Sequence, residues 1–164
     1  VNGGEKFING ELTANIVVNP NVLTADGKLN GNGSNFRVWI PIGNTTYPYM
    51  GAFEGNGNTV SGIYMNNESN FQGLFAYVYG TVRNVGVEDS YIKGASYVGG
   101  VAGYSGGTVK NCFFDGTVIG TGPVGGICGH LMSDAVLGSC LSIGSVSGTG
   151  DVGGVVGCSE LKLY

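Results

Sequence analysis

The sequence predicts an all-β protein wound as a parallel β-helix, and three observations predict it. A glycine-punctuated stretch recurs four times, with anchor glycines Gly73, Gly99, Gly125 and Gly153 spaced 26, 26 and 28 residues apart. The apolar residues between them fall in short β-branched runs, such as Val98, Val101, Val109, Val118 and Ile119, which is strand composition. Glycine makes up 33 of the 164 residues, where roughly 7% is ordinary. At about 1 kcal/mol per helical position relative to alanine, that load argues against a helical bundle.

Taken in order, residues 1–70 are irregular but strand-like. Leu12 to Val18 is an apolar run closed by the turn signal Asn19-Pro20-Asn21. Phe36 to Ile42 is a second run ending at Gly43, and Ala52 to Met65 reads strand, tight turn at Gly55-Asn56-Gly57, strand. With no linker after them, these segments are expected to be the first coils, or an N-terminal cap, of one solenoid over residues 1–164. The repeats proper run over residues 71–158. Their first block is Phe71-Gln72-Gly73-Leu74-Phe75-Ala76-Tyr77, then Tyr97 to Tyr104, Pro123 to His130 and Asp151 to Cys158. A second block is Gly80-Thr81-Val82-Arg83-Asn84-Val85, then Gly107 to Cys112, then the looser, longer Ala135 to Cys140.

A 26-residue unit without an asparagine-containing leucine ladder is not a leucine-rich repeat, and it is too short for a propeller blade. Each coil is expected to hold two or three short parallel strands, stacked on the next coil at about 4.8 Å. At that period the 164 residues make about six coils, right-handed by the general crossover preference. The glycines are expected to serve positive-φ corners and close backbone approach. Asn84 and Asn111 fall at equivalent places, where asparagine tolerates a left-handed corner, so a stacked asparagine ladder is expected.

Composition narrows function. Seven basic and 11 acidic residues give a net charge of −4, with no footprint for nucleic acid or anionic lipid. Hydrophobic residues at 42% and aromatic residues at 10% argue against disorder, and the glycines do not follow the collagen period. No apolar run is long enough for a membrane helix. Val1 follows no charged or apolar leader, and the chain stops soon after a recurring pattern, so it reads as a piece of a longer one. An uncapped last coil would then invite end-to-end self-association.

Gly73-Leu74-Phe75, together with Val98-Gly99-Gly100-Val101-Ala102-Gly103-Tyr104 and Gly107-Thr108-Val109-Lys110-Asn111-Cys112, resembles the GLUG motif of bacterial surface proteins. The stretch from Trp39 to Gly43, followed by Gly51 to Ile63, is similar to the lead-in upstream of such repeats. The resemblance implies a right-handed β-helix in a secreted or wall-anchored protein, either adhesin-like or a non-catalytic part of an immunoglobulin A-cleaving metallopeptidase. It carries no catalytic residues over to this chain.

The residues support no catalytic, cofactor or metal site. Gly120-x-Gly122-x-x-Gly125 and Gly148-x-Gly150-x-x-Gly153 match a dinucleotide fingerprint, but a glycine-rich strand follows each where a helix is needed. Asp26 to Gly31 looks like a calcium loop, yet Lys28 takes the third ligand position, so a surface turn is expected. His130, the single histidine, cannot supply a zinc-peptidase motif and sits at the repeat position of Tyr77, Tyr104 and Cys158. Cys112 and Cys140 align across coils. Buried free thiols are expected for them and for Cys128, with a disulfide as the alternative. Asp115 is expected to stack near Asp89, where an acidic patch could serve a polysaccharide-degrading enzyme. The better binding hint is aromatic: Tyr77, Tyr104, Tyr91 and Tyr97 form the candidate surface, for carbohydrate or protein at a host or bacterial surface.

Overall fold

The structure is a computed structural model and describes residues 1–160. Its elements are all strands, and every strand pairing is parallel. The chain is a β-solenoid in which one sequence copy makes one winding.

Four sheets run along the axis. The first stacks Gly10–Glu11, Ala52–Glu54, Thr81–Arg83, Thr108–Lys110 and Val136–Gly138. The second, the longest, stacks Ile16–Val17, Thr59–Ser61, Gly86–Lys93, Phe113–Gly120 and then the split pair Leu141–Ser142 and Ser145–Gly148, with Tyr64–Asn66 also pairing to Gly86–Lys93. A short third sheet holds Val98–Gly99, Val124–Gly125 and Val152–Gly153. The fourth holds Phe75–Val78, Ala102–Ser105, Cys128–Leu131 and Val156–Ser159.

The anchor glycines lie in one line, as the repeat requires. Gly99 pairs with Gly125 and Gly125 with Gly153, while the Gln72–Val98 bridge carries the line back to Gly73. Inside the windings, like residues form columns. Val82 and Val109 pair, as do Val87 and Phe114, Ile92 and Val118, and Phe75, Ala102 and Cys128, and all of these are fully buried. In the last winding the register continues but the cover does not: Val136, Leu141, Ile143 and Val152 are exposed.

The winding count is about four, not six. The reason lies between Val17 and Ala52, where the chain forms no strand and only isolated bridges. The segment leaves the solenoid as an antiparallel loop closed by Leu23 and Leu29 and docks on the long sheet. There Asp89 accepts the Val22 and Leu23 amides at 3.1 and 2.9 Å, and Thr117 donates to the Gly27 carbonyl at 2.6 Å. The loop's own Asp26 pairs with Lys28 at 2.6 Å, so the calcium-like stretch is a surface turn held by an ion pair.

The glycines serve both expected purposes, at different places: Gly43, Gly57 and Gly62 have positive φ, while the anchor glycines permit close approach. None of the anchor glycines has positive φ; their role is close approach alone. A Cβ on Gly125 would stand 2.7 Å from the Gly157 amide nitrogen and 2.8 Å from the Val155 carbonyl oxygen. The left-handed corners belong to Asn84, Asn111 and Ser139, at φ of 56, 51 and 52°, at one position of three successive windings. The expected ladder forms there: Asn111 Nδ2 donates to Asn84 Oδ1 at 3.0 Å, and Asn84 Nδ2 donates to Glu54 Oε1 at 2.8 Å. The Asn56 amide and then the Asn84 carboxamide hold the Glu54 carboxyl below its ordinary range.

Replacing Gly125 with alanine is expected to cost about 3 kcal/mol or more, because the obstructing atoms are backbone and cannot turn aside. Gly154→Ala, with nothing within 4 Å of its Cβ, is expected to change stability by no more than about 0.5 kcal/mol. Denaturant melts of the two variants decide the matter; equal effects would show that the anchor line does not hold the windings at contact distance.

Candidate functional site

The period that stacks the core also stacks what lies outside it. On the fourth sheet Tyr77 pairs in register with Tyr104, Tyr104 with His130 and His130 with Cys158. The rings follow suit: Tyr77 and Tyr104 stack at 4.3 Å and 20°, Tyr104 and His130 at 4.8 Å and 11°. A second, shorter stack runs beside the first. Phe71 and Tyr97 lie 5.0 Å apart at 15°, and both meet Tyr104 edge-on. Tyr79 extends the patch and is 43% exposed.

Local sequence explains the arrangement. The residue between the paired rings and the core column is small in each copy: Ala76, Gly103, Gly129, Gly157. A Cβ on Gly103 would lie 2.8 Å from Phe71 Cα and 2.6 Å from the Tyr97 carbonyl oxygen, so the small residue lets the neighbouring corner come in. That corner carries Phe71 and Tyr97 at φ of 60 and 61°, a conformation bulky residues rarely adopt. Aromatic pairs add roughly 0.5–1.5 kcal/mol each beyond the area they bury.

Burial, with the neighbouring Tyr79 and Tyr104 hydroxyls, raises the Tyr77 phenol well above its ordinary value, and burial raises Tyr104 as well. Both are neutral hydroxyls at physiological pH. His130 sets Nε2 against Glu160 Oε1 at 3.1 Å, while its buried Nδ1 meets no protein partner among the described residues.

Of the four tyrosines singled out from the sequence, Tyr77, Tyr97 and Tyr104 come together and Tyr91 does not. Tyr91 lies on the long sheet opposite Tyr64, at 6.3 Å and 27°. The residues not singled out for the surface are Phe71, Tyr79 and His130. Phe71 and His130 were legible as repeat equivalents of Tyr97 and Tyr104; Tyr79 has no aromatic equivalent in the other copies.

The acids do not gather as expected. Asp115 pairs with Glu88, because Asp89, at φ 46°, is bulged out of register between Glu88 and Ser90. Both Asp89 oxygens are taken by the docked loop, and Glu88 Oε1 accepts the Thr59 hydroxyl at 2.8 Å. All four cysteines are free thiols. Cys128 is buried in the core column, and burial pushes its thiol up to about 12. Cys112 and Cys140 sit one winding apart, each donating at 3.3 Å to a carbonyl two residues back. Their contact works in opposite directions. It raises Cys112, which burial raises further, and it lowers Cys140 to about 6.

Residues 94–119, the winding that contains the Phe113–Gly120 strand almost to its end, match the GLUG motif. The chain is 32% identical over 129 residues to halomucin of Haloquadratum walsbyi, an alignment that takes in 76% of this chain and 1% of halomucin. Among solved structures, one provisionally described as an immunoglobulin A1 protease from Bacteroides ovatus superposes with a TM-score of 0.59 at 16% identity, covering 95% of this chain and 57% of that one. That likeness shows the fold alone. The chain thus spans a very small part of halomucin and somewhat over half of the solved chain.

The thiols give a direct test. At pH 7, iodoacetamide is expected to alkylate the half-buried Cys140 well ahead of Cys112 and Cys128. Because the Cys140 thiol is lowered to about 6, its rate should climb as pH rises through that value and level off above it. Cys128, held protonated by burial, should react only on unfolding. Peptide mapping after a short pulse reads this out; labelling of Cys128 at a comparable rate would contradict its place in the core.

Proposed function

We propose that this GLUG-repeat chain is a non-catalytic module of a secreted or cell-surface protein, a stiff spacer whose aromatic face serves adhesion. The observation that carries the reading is continuity: successive windings are joined by parallel ladders in four sheets along one axis. A pull along the axis therefore loads many backbone hydrogen bonds together. At about 4.8 Å per winding, four windings make a segment roughly 19 Å long. The GLUG match and the similarity to halomucin support a surface module.

Two observations favour this over a polysaccharide-degrading β-helix. Glu88 and Asp115 project side by side from neighbouring strands instead of facing each other across a cleft. The remaining carboxylate of that patch, Asp89, is committed to the docked loop. An accessory region of a surface peptidase is the second reading; the Bacteroides ovatus structure, described as a protease, shares the fold with this chain.

Two measurements test the proposal. Held by its ends between handle domains, the chain is expected to resist extension and then give way in steps of whole windings. Incubated with neutral and acidic polysaccharides, it is expected to release no reducing ends. Smooth extension at low force would overturn the spacer, and reducing-end release abolished by Glu88→Gln or Asp115→Asn would overturn the non-catalytic reading.

A further inference from the structure

Beside the aromatic patch, where the Phe71 corner meets the preceding winding, the surface sinks into a depression of about 300 Å³. That is the lower end of the range for small-ligand sites. Its walls include Ile40, Pro41, Asn44, Thr45, Asn70 and Phe71, and none of its lining residues is charged. We propose that this depression binds one ring of a neutral sugar chain. The inference rests on the adhesive reading above and deepens it by naming the ligand class.

The chemistry of the walls selects the ligand. Tyr97, one winding further on, stacks on the Phe71 ring, while Ile40 to Thr45 belong to the winding before. Phe71 thus offers the depression an aromatic surface that can take the C–H face of a pyranose. Ile40, 75% exposed, and Pro41 add an apolar rim. The polar groups are donors already aimed by their other halves. Asn44 Oδ1 accepts the Thr46 and Tyr47 amides at 2.9 and 2.8 Å, and Asn70 Oδ1 accepts the Ser96 amide at 3.0 Å. Each carboxamide is fixed through its oxygen, which leaves its NH2 to donate to a ligand hydroxyl. Gln72 braces Asn70 by donating from Nε2 to its carbonyl at 2.8 Å. With no cation on the walls, an acidic sugar or a phosphate finds no counter-charge.

The backbone gives a second, independent indication. Holding a bulky residue in the left-handed region costs of order 1–3 kcal/mol, and such strain concentrates at functional positions. At this repeat position the strain falls on Phe71 and Tyr97; the third copy has Pro123, whose ring forbids positive φ, and the fourth has Asp151, which does not adopt it. At this one repeat position the left-handed conformation coincides with an aromatic ring.

The test is an NMR titration of the full chain with cellohexaose, maltohexaose and mannohexaose, with an oligogalacturonate as the acidic control. At least one neutral oligomer is expected to shift Phe71, Asn44, Thr45 and Asn70 with a Kd near ~1 mM, and the acidic oligomer to shift none of them. Phe71→Ala is expected to weaken binding at least tenfold. Ile40→Trp, a change at a position exposed enough to leave the fold intact, should fill the depression and do the same. Absence of shifts with all three neutral oligomers, shifts centred on Tyr64 and Tyr91 instead, or unchanged affinity in Ile40→Trp would each overturn the site. A chain that still resists extension but binds none of the sugars loses the sugar site alone and keeps the spacer.

Discussion

Adjacent windings of this solenoid lie at backbone contact distance, and the anchor glycines are what allow it. At Gly99 and Gly125 the space a methyl group would need is already held by carbonyl oxygens and amide nitrogens of the turn and of the next winding. The same condition recurs at Gly103 and Gly129, where the corner bearing Tyr97 presses in. Once two windings are that close, their sheets register and their side chains fall into columns, inside and out. The dry interior of Val82, Val109, Val87, Phe114, Ile92 and Val118 and the outer stack of Tyr77, Tyr104 and His130 are both consequences of one vertical repeat.

Turns, close approaches and protruding rings use different chemistry for different reasons. Where the chain must turn with positive φ it uses asparagine at 84 and 111, and the carboxamides then find one another because they recur at the winding distance. Where windings touch along the anchor line, it uses glycine with ordinary φ. Where rings stand out from the surface, it accepts strain at Phe71 and Tyr97. The free thiols fit the same scheme: Cys128 acts as a small core side chain between Ala102 and Val156, and the Cys112–Cys140 pair is another product of stacking.

The parts of this architecture that were legible in the sequence are those that repeat. Spacing of 26 to 28 residues dictated the line of anchor glycines, the asparagine ladder and the stacking of Tyr77 on Tyr104, because a copy can only lie on its neighbour in one register. What did not repeat could not be read. The stretch from Pro20 to Arg37 carries strand-like apolar residues but no copy to stack on, so it leaves the solenoid and lowers the winding count. The bulge at Asp89 has no counterpart in the next winding, and it displaced the expected Asp115 partner to Glu88. Tyr91 looked like its neighbours in composition but sits on a different sheet, since side of the winding is fixed by position within the period and not by residue type. The difference between glycine for φ and glycine for contact also lies outside sequence reach, because both leave the same letter.

The last anchor interval is two residues longer than the others, and the extra length is absorbed near the turn where the Ala135 amide returns to the Met132 carbonyl. Strands on either side of that turn, Cys128–Leu131 and Val136–Gly138, keep their partners. The two extra residues of this interval are therefore carried by a turn, and the fold is assembled in whole-winding units. A gene encoding such a protein can expand or contract by duplicating or deleting one copy, and the product changes its reach without having to reinvent its interior.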